Sequence, residues 1–222
     1  MKSLYVEPTN ACNQKCSFCF QSTGDMTRKQ GMMTPRTFNK VLDTATSYDQ
    51  LIMHHSGESM LHPDIIKMVK KAKKRGYNVA MTTNGTIPIS ELLDNADHVS
   101  ISLGEKRNAD VVVSTVGNWA TLLARKKMSW GGIIDAPSSI LKKIAFRIML
   151  LFRISICKAV DVGPAILWDG TVVPCCLDYN ADIKLGNIFD KQLDDIIKSA
   201  DWLRNGLSGK TKMPARCVSC KL

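Results

Sequence analysis

The placement of eight cysteines constrains this 222-residue chain more than any other feature of its sequence. Three lie close together near the N-terminus, and the next follows only at residue 157. The first group is Cys12, Cys16 and Cys19, and the second is Cys157, Cys175, Cys176, Cys217 and Cys220. The first residues lack the apolar core of a signal peptide, which predicts a cytoplasmic, reducing location. Grouped cysteines in such a location favour metal ligation or reactive thiols over disulfides, so two separate sites are expected.

An excess of basic side chains gives the chain a formal net charge of +10, from 30 Lys and Arg against 20 Asp and Glu. That balance is typical of proteins that bind nucleic acid or anionic membranes. The count treats every cysteine as neutral, however, and metal-bound thiolates would lower it. Residues 120–160 alone hold eight basic residues and one Asp. We therefore expect a local basic strip and no nucleic-acid partner.

Residues 140–158 form a basic amphipathic pattern within this strip. On a helical wheel the basic side chains fall within about half the circumference, and the apolar ones lie opposite. The basic members are Lys142, Lys143, Arg147, Arg153 and Lys158. Two interpretations stay open: a core-facing helix with a solvated face, or peripheral contact with an anionic membrane or a lipid-linked substrate.

Short apolar runs alternate with helical patterns in the first half of the chain, which predicts an α/β fold with a parallel sheet. Strands are expected at residues 4–6, 51–55, 78–83 and 98–103, and helices at 35–47, 63–75 and 89–96. Residues 103–110 are too short for a crossover to a parallel strand at 111–113. A helix over about 109–127 is therefore expected instead.

The C-terminal part has a different pattern, beyond a boundary marked by Gly131, Gly132 and Pro137. Residues 168–171, with the sequence WDGT, predict a hairpin that joins residues 165–167 to 171–173. Asp190 is expected to cap a helix over 191–203. A small second domain with a hairpin, a helix and cysteine-bearing loops follows from this pattern.

The N-terminal cysteines have the spacing Cys12-x3-Cys16-x2-Cys19 and directly follow the first predicted strand. Three thiolates on one loop can bind three irons of an iron–sulfur cube and leave the fourth iron open. Two alternatives are a zinc site, which would need a fourth ligand, and cysteines without a shared role. The position favours the cluster, because the carboxyl ends of strands form the active face of βα-repeat folds.

Together with SGES at residues 56–59, the segment CNQKCSFC resembles the radical S-adenosylmethionine (radical SAM) family, with its CxxxCxΦC loop and GGE-like motif. The resemblance covers residues 5–103. It implies a shortened partial (βα) TIM-type barrel and a [4Fe–4S] cluster held by Cys12, Cys16 and Cys19. It also implies that the open iron binds SAM, whose reductive cleavage yields a 5′-deoxyadenosyl radical that removes hydrogen from a substrate.

The resemblance further implies a set of SAM contacts. Phe18 would pack near the adenine, and Gly57 and Glu58 would meet the methionine amino group. Thr83, Asn84 and Ser102 would contact the methionine moiety and ribose, although Thr and Ser at strand ends also serve as ordinary turn residues. His54 and His55 alternate faces on the second predicted strand, so one of them either faces the substrate or is a core or surface histidine.

The C-terminal cysteines, with the words DGTVVPC, LGN and CVSC, resemble the shortened SPASM domain called the twitch domain. That resemblance implies a second [4Fe–4S] cluster on Cys157, Cys175, Cys217 and Cys220, with zinc as the rival metal. Cys176 is left over and is expected to be a small buried apolar side chain. The predicted division is a barrel at 1–130, a basic connector at 131–156 and an auxiliary domain at 157–222.

A fully ligated auxiliary cluster has no open iron, which favours an electron-relay role and a net oxidation. The overall pattern resembles that of the radical SAM dehydrogenases of aminocyclitols, although Trp130 stands where those enzymes carry an Arg. The sequence predicts oxidation of a sugar-like or other small metabolite, with flavodoxin or ferredoxin as the reductant. Alternatives are modification of a ribosomally made peptide and a non-catalytic iron–sulfur or zinc module. No catalytic side chain beyond these cofactor contacts is assigned.

Overall fold

The computed structural model describes residues 1–17, 19–102, 120–123, 163–207, 210–212 and 217. The strands are β1 (Ser3–Val6), β2 (Gln50–Ile52), β3 (Asn78–Thr83), β4 (His98–Ser102), β5 (Ala120–Leu123), β6 (Ala165–Ile166), β7 (Thr171–Val173) and β8 (Gly186–Asn187). The helices are α1 (Pro35–Thr44), α2 (Ile65–Lys74), α3 (Ser90–Leu93), α4 (Leu193–Lys198) and α5 (Asp201–Leu207). Within this part of the chain, no helix has the length and apolar character needed to span a membrane.

One sheet contains all the described strands, in the order β5-β4-β3-β2-β1-β6-β7-β8. Strands β1 to β5 are parallel, and each pairs with its neighbour in sequence. This arrangement confirms the predicted α/β class. It also places the carboxyl ends of β1 to β4 at one edge, where the residues that follow each strand meet.

Helix α1 begins where its sequence signal predicts but ends at Thr44 instead of 47, and α3 is shorter than the predicted 89–96. Thr34 caps α1, because its hydroxyl accepts a hydrogen bond from the Thr37 amide at 3.1 Å, and Pro35 occupies the first turn. Helix α2 buries one apolar face and exposes its lysines. The chain leaves α2 through Gly76, whose φ of 88° lies in the left-handed region that glycine tolerates best.

The predicted helix at about 109–127 is wrong at residues 120–123, which form strand β5, parallel to β4. Seventeen residues separate β4 from β5, which is enough for a parallel crossover of about a dozen residues or more. The prediction failed because it considered only residues 111–113 as the next strand, and that segment lies too close to the end of β4 for a parallel crossover. Residues 103–119 and 124–162, including the connector and the basic segment 140–158, lie outside the described part.

The predicted hairpin is confirmed as β6 and β7, and its first strand extends the barrel sheet. Strand β6 pairs in parallel with β1, with Tyr5 opposite Ala165 and Val6 opposite Ile166. Gly163 enters this strand at a φ of 130°, and a Cβ there would lie 2.3 Å from the Ser3 carbonyl oxygen. The C-terminal part is therefore joined to the barrel edge by backbone pairing.

The helix expected over 191–203 is instead two short helices, α4 and α5, and α4 begins after Gln192. Contacts with the end of α1 determine where α4 begins. The Leu193 amide donates to the Thr44 hydroxyl oxygen at 2.7 Å, and that hydroxyl donates to Gln192 Oε1 at 2.9 Å. Asp190 therefore belongs to the preceding turn, where its amide donates to the Asn187 carbonyl oxygen.

A common apolar core underlies both parts of the sheet. The barrel contributes residues such as Leu4, Leu51 and Val79, while Ile188 and Ile196 enter the same cluster from the C-terminal part. All five side chains are at most 1% exposed. The barrel and the C-terminal strands therefore share one apolar core.

Candidate active site

A cavity of about 300 Å³ lies at the carboxyl ends of β1 to β4. The predicted site residues that line it are Cys12, Cys16, Cys19, Gly57, Glu58, Thr83, Asn84 and Ser102. Cys176 lines it as well, whereas Cys175 and Cys217 do not. Phe18, Cys157 and Cys220 lie outside the described residues. The fold therefore gathers these eight predicted residues from four separate segments around one space.

The cysteine loop is held by backbone groups and amides. Asn10 anchors its start, because its side chain accepts from the Gly31 amide at 2.8 Å and donates to the Lys29 carbonyl oxygen at 2.9 Å. The Gln14 amide donates to Cys12 Sγ at 3.5 Å. Burial raises the pKa of Cys12, while this amide acts in the opposite direction. N–H groups aimed at sulfur stabilise a thiolate, so the loop suits a metal-bound sulfur.

Gly57 brings the turn after β2 against the start of the cysteine loop. Its φ is 76°, and a Cβ at this position would lie 2.4 Å from the Ala11 carbonyl oxygen. The same oxygen accepts a hydrogen bond from the Glu58 amide at 2.7 Å. Only glycine combines the left-handed backbone with so close an approach, so the predicted motif has a structural explanation here.

Glu58 joins the turn after β2 to the end of β3. Its carboxylate accepts from the Thr83 hydroxyl at 2.9 Å, the Asn84 amide at 2.6 Å and the Met60 amide at 2.9 Å. Burial raises the pKa of Glu58, and these hydrogen bonds oppose that effect. An ionised carboxylate has about four acceptor positions, so three donors leave one for a further group such as an ammonium.

Sequence reasoning missed Glu7, which follows β1 and is fully buried. Two guanidinium nitrogens of Arg28 donate hydrogen bonds to the Glu7 carboxylate oxygens, at 2.7 Å to Oε1 and 3.0 Å to Oε2. His55 Nδ1 lies 3.2 Å from Oε1. Burial alone would raise the pKa of Glu7, but hydrogen bonds from His55 and Arg28 outweigh it and lower the pKa to about 2. No local motif links these residues, because Arg28 lies 21 positions along the chain from Glu7.

Both histidines after β2 line the cavity, contrary to the expectation that they face opposite sides of a strand. The reason is that β2 ends at Ile52, so His54 and His55 already belong to the turn. Burial is the main reason why the pKa of His54 is lowered to about 4, and the neighbouring His55 lowers it further. His54 is therefore neutral at physiological pH.

Residues 175–181 dock onto the segment that follows the cysteine loop. Phe20 stacks on Tyr179 with ring centroids 4.1 Å apart. Arg28 Nε donates to the Tyr179 carbonyl oxygen at 2.6 Å, and the Thr27 amide donates to Asn180 Oδ1 at 2.9 Å. Cys176, expected as a buried apolar side chain, is instead half-buried at the cavity wall as a result of this docking.

The thiol donors fit iron–sulfur chemistry. In a [4Fe–4S] cube each thiolate binds a different iron, so the cysteines need only border the same space, as Cys12, Cys16 and Cys19 do. Within the described residues, no three His, Cys, Asp or Glu side chains converge on a single metal-ion position. Burial raises the pKa of Cys175 to about 12, and a bound metal would ionise such a thiol.

Curated proteins of similar sequence match about half of this chain. A protein of Pyrococcus furiosus described as a tungsten-containing aldehyde ferredoxin oxidoreductase cofactor-modifying protein is 35% identical over 106 residues, which cover 46% of this chain and 29% of that protein. The chain spans about a third of the length of the curated relatives it matches.

Two solved structures share the fold. BtrN, in complex with AdoMet and 2-DOIA, has a TM-score of 0.74 at 18% identity, covering 94% of this chain and 87% of that one. Streptococcus suis SuiB, bound to precursor peptide SuiA, has a TM-score of 0.66 at 15% identity, covering 98% of this chain and 69% of that one.

Family models account for both cysteine groups. The model of the radical SAM superfamily matches residues 6–104, and the SPASM model, an iron–sulfur cluster-binding domain, matches residues 157–221. The first range contains the Cys12 loop and Glu58, and the second contains all five later cysteines. The chain therefore contains a radical SAM domain followed by an SPASM domain.

Proposed function

We propose that this chain cleaves SAM at a [4Fe–4S] cluster and oxidises an alcohol on a sugar-like or other small metabolite, with an auxiliary [4Fe–4S] cluster as electron acceptor. One observation carries the proposal: Cys176, the neighbour of the proposed auxiliary ligand Cys175, lines the same cavity as Cys12, Cys16 and Cys19. The loop that carries Cys175 and Cys176 therefore lies beside the space that Cys12, Cys16 and Cys19 border. Bound at the open iron, SAM supplies the 5′-deoxyadenosyl radical that removes hydrogen from the substrate.

The chain's own residues hold and orient the cofactor. Cys12, Cys16 and Cys19 ligate the first cluster. The remaining acceptor position of Glu58 receives the SAM ammonium group, next to the backbone of Gly57. Contacts to the rest of SAM come from Thr83, Asn84 and Ser102 along the strand ends and from Phe18 at the adenine.

The auxiliary cluster is ligated by Cys157, Cys175, Cys217 and Cys220. Four protein ligands leave no open iron for a substrate, so electron transfer is the role that this cluster can perform. The docking of residues 175–181 supports this role, because the Phe20–Tyr179 stack and the Arg28 contact hold the Cys175 loop beside the cavity. A net oxidation requires such an acceptor, since a substrate radical must lose a second electron.

A small alcohol is the favoured substrate. BtrN shares the fold over 94% of this chain, and its structure contains the small molecule 2-DOIA together with AdoMet. Modification of a peptide is the second candidate, because SuiB shares the fold over 98% of this chain and binds the precursor peptide SuiA. A non-catalytic metal module does not account for the cavity that Gly57 and Glu58 form beside the cysteine loop.

Anaerobic reconstitution tests the proposal. Two [4Fe–4S] clusters correspond to about eight irons per chain. With reduced flavodoxin or ferredoxin and SAM, we expect 5′-deoxyadenosine and an oxidised product from a panel of aminocyclitols and sugar alcohols that includes 2-deoxy-scyllo-inosamine. Bound zinc without SAM cleavage would contradict the proposal. Modification of a panel of synthetic peptides, without oxidation of any alcohol, would favour the second candidate.

A further inference from the structure

The inner face of the barrel sheet carries hydroxyl groups that the proposed SAM contacts do not use. Side chains along β3 and β4 alternate between the two faces of the sheet. Met81, Val99 and Ile101 pack in the apolar core. Thr82 and Ser100, which alternate with them, line the cavity instead, and both are partly exposed. The face opposite the core therefore presents these two hydroxyl side chains to the cavity.

The two side chains lie next to each other. Thr82 pairs with Ser100 across the parallel strands, and neighbouring strands lie about 4.8 Å apart. Within the part of the chain that the structure describes, neither hydroxyl has a hydrogen-bond partner, and neither is a fully buried atom, so both are open to a ligand. A hydroxyl can donate one hydrogen bond and accept two. The pair can therefore bind two neighbouring hydroxyl groups of one ligand.

The described cavity wall has no unbalanced positive charge. It contains no Lys or Arg, and Glu58 is its one acidic side chain. His54 is neutral at physiological pH because burial lowers its pKa to about 4, and His55 Nδ1 lies 3.2 Å from the Glu7 carboxylate. A phosphate or carboxylate buried against this wall would lack a counter-charge, which is costly. The wall therefore suits an uncharged group that carries hydroxyls.

We propose that Thr82 and Ser100 determine substrate specificity by binding two neighbouring hydroxyl groups of an uncharged, polyhydroxylated ring. This inference rests on the proposed alcohol oxidation and narrows its substrate to a ring with vicinal hydroxyls, as in a cyclitol or a sugar. Ser102, a proposed SAM contact, lies two residues beyond Ser100 on the same face of β4. A ring bound by the pair therefore lies beside the SAM site, where the radical forms. Thr82 and Ser100 position the ring and exchange no proton with it.

The test is the affinity for ligands with and without each hydroxyl group. Thr82→Val and Ser100→Ala each remove one hydroxyl and little else. The ligands are an alcohol of the panel that the native enzyme oxidises and its monodeoxy analogues, titrated by calorimetry into the reconstituted enzyme with SAM and without reductant. One hydrogen bond is worth about 2- to 12-fold in Kd, so each variant should bind the alcohol more weakly by that factor.

The analogues separate a lost hydrogen bond from a general disturbance of the cavity. For the analogue that lacks the hydroxyl bound by Thr82, the native enzyme and Thr82→Val should have equal affinities, because neither can form that hydrogen bond. With reductant, both variants should still form 5′-deoxyadenosine, since the SAM contacts are intact. Thr171→Val is the matched control, because Thr171 is a partly exposed strand residue that does not line the cavity.

Four results would overturn the inference. The first is native affinity for the alcohol in both variants, and the second is an equal loss in Thr171→Val. The third is a loss for every monodeoxy analogue as large as that for the alcohol. The fourth is tighter binding of a phosphorylated analogue than of the alcohol. Failure of the native enzyme to oxidise any alcohol in the panel would instead defeat the proposed function, and this inference with it.

Discussion

The two cysteine groups are placed by different means. Cys12, Cys16 and Cys19 lie within eight residues, and local hydrogen bonds and the turn at Gly57 hold their loop at the cavity. The auxiliary cysteines are spread over residues 157–220, and tertiary packing positions those that the structure describes. Cys175 lies on the docked loop, whereas Cys217 packs beside Ile183 and Leu203. The first site therefore depends on a local motif, and the second depends on the whole fold.

The largest expected effect comes from removing the local group. Replacing Cys12, Cys16 and Cys19 together with Ala should abolish SAM cleavage, because Cys176 is the one other thiol at the cavity among the described residues, and one thiol cannot replace three. Iron should fall from about eight to about four per chain, since the auxiliary cysteines are untouched. Anaerobic assays of 5′-deoxyadenosine and iron measure both effects. Retained SAM cleavage would contradict the assignment of this loop.

The next largest effect should come from Glu7, which links the two regions through Arg28. Glu7→Gln leaves the Arg28 guanidinium buried without its anion, and breaking such a pair costs about 3–5 kcal/mol of unfolding free energy. Denaturant unfolding measures this loss. The control is Glu91→Gln, which removes an exposed pair with Lys70 and should cost at most about 1 kcal/mol. Equal losses in the two variants would show that the Glu7 pair does not join the regions.

The stability contributed by Glu7 should also depend on pH. Its pKa is lowered from 4.5 to about 2 in the folded protein, so the stabilisation is fully present above about pH 4.5 and is lost as the pH falls towards 2. The shift corresponds to about 3 kcal/mol. The difference in unfolding free energy between the native protein and Glu7→Gln should therefore shrink over this range. A constant difference would mean that the Glu7 charge is not responsible.

Gly57→Ala tests the contact that holds the cysteine loop. The substitution combines a left-handed backbone with a Cβ only 2.4 Å from the Ala11 oxygen. We expect a loss of about 1–3 kcal/mol and weaker assembly of the first cluster. Gly76→Ala is a matched control, because φ is 88° there but no atom lies within 4 Å of the added Cβ. A loss of SAM cleavage in Gly76→Ala as large as in Gly57→Ala would contradict this explanation.

The smallest expected effect concerns the aromatic stack between the two regions. Phe20→Leu should cost about 0.5–1.5 kcal/mol beyond lost burial and should lower product per 5′-deoxyadenosine, because the Cys175 loop is held less firmly. SAM cleavage should persist. Phe189→Leu, at a 42% exposed ring, is the control. If both variants retain the native product ratio, the stack does not couple the two regions.

Local signals in the sequence were sufficient for much of the barrel. The strands to Ser102, the Thr34 cap and the cysteine loop each depend on residues that are near one another in the chain. The residues that line the cavity could be predicted because the carboxyl ends of parallel strands meet at one edge of the sheet. Strand β5 was missed because residues 111–113, and not residues 120–123, were considered as the strand after β4.

Long-range contacts could not be predicted in the same way. The pairing of β6 with β1 joins residues 160 positions apart, and no pattern in either short strand specifies its partner. The Glu7 site is similar, because Arg28 and His55 reach it from two different loops. Cys176 was misjudged because its environment is created by the docking of residues 175–181 onto the barrel.

Replacing Cys217 and Cys220 with Ala tests the central claim most directly, because it removes two of the proposed auxiliary ligands and leaves the cavity cysteines intact. The measurement is the oxidised product formed per 5′-deoxyadenosine from an alcohol that the native enzyme oxidises. The account predicts continued SAM cleavage with product reduced nearly to zero, because the substrate radical has no electron acceptor. An unchanged product ratio would contradict the relay role of the auxiliary cluster.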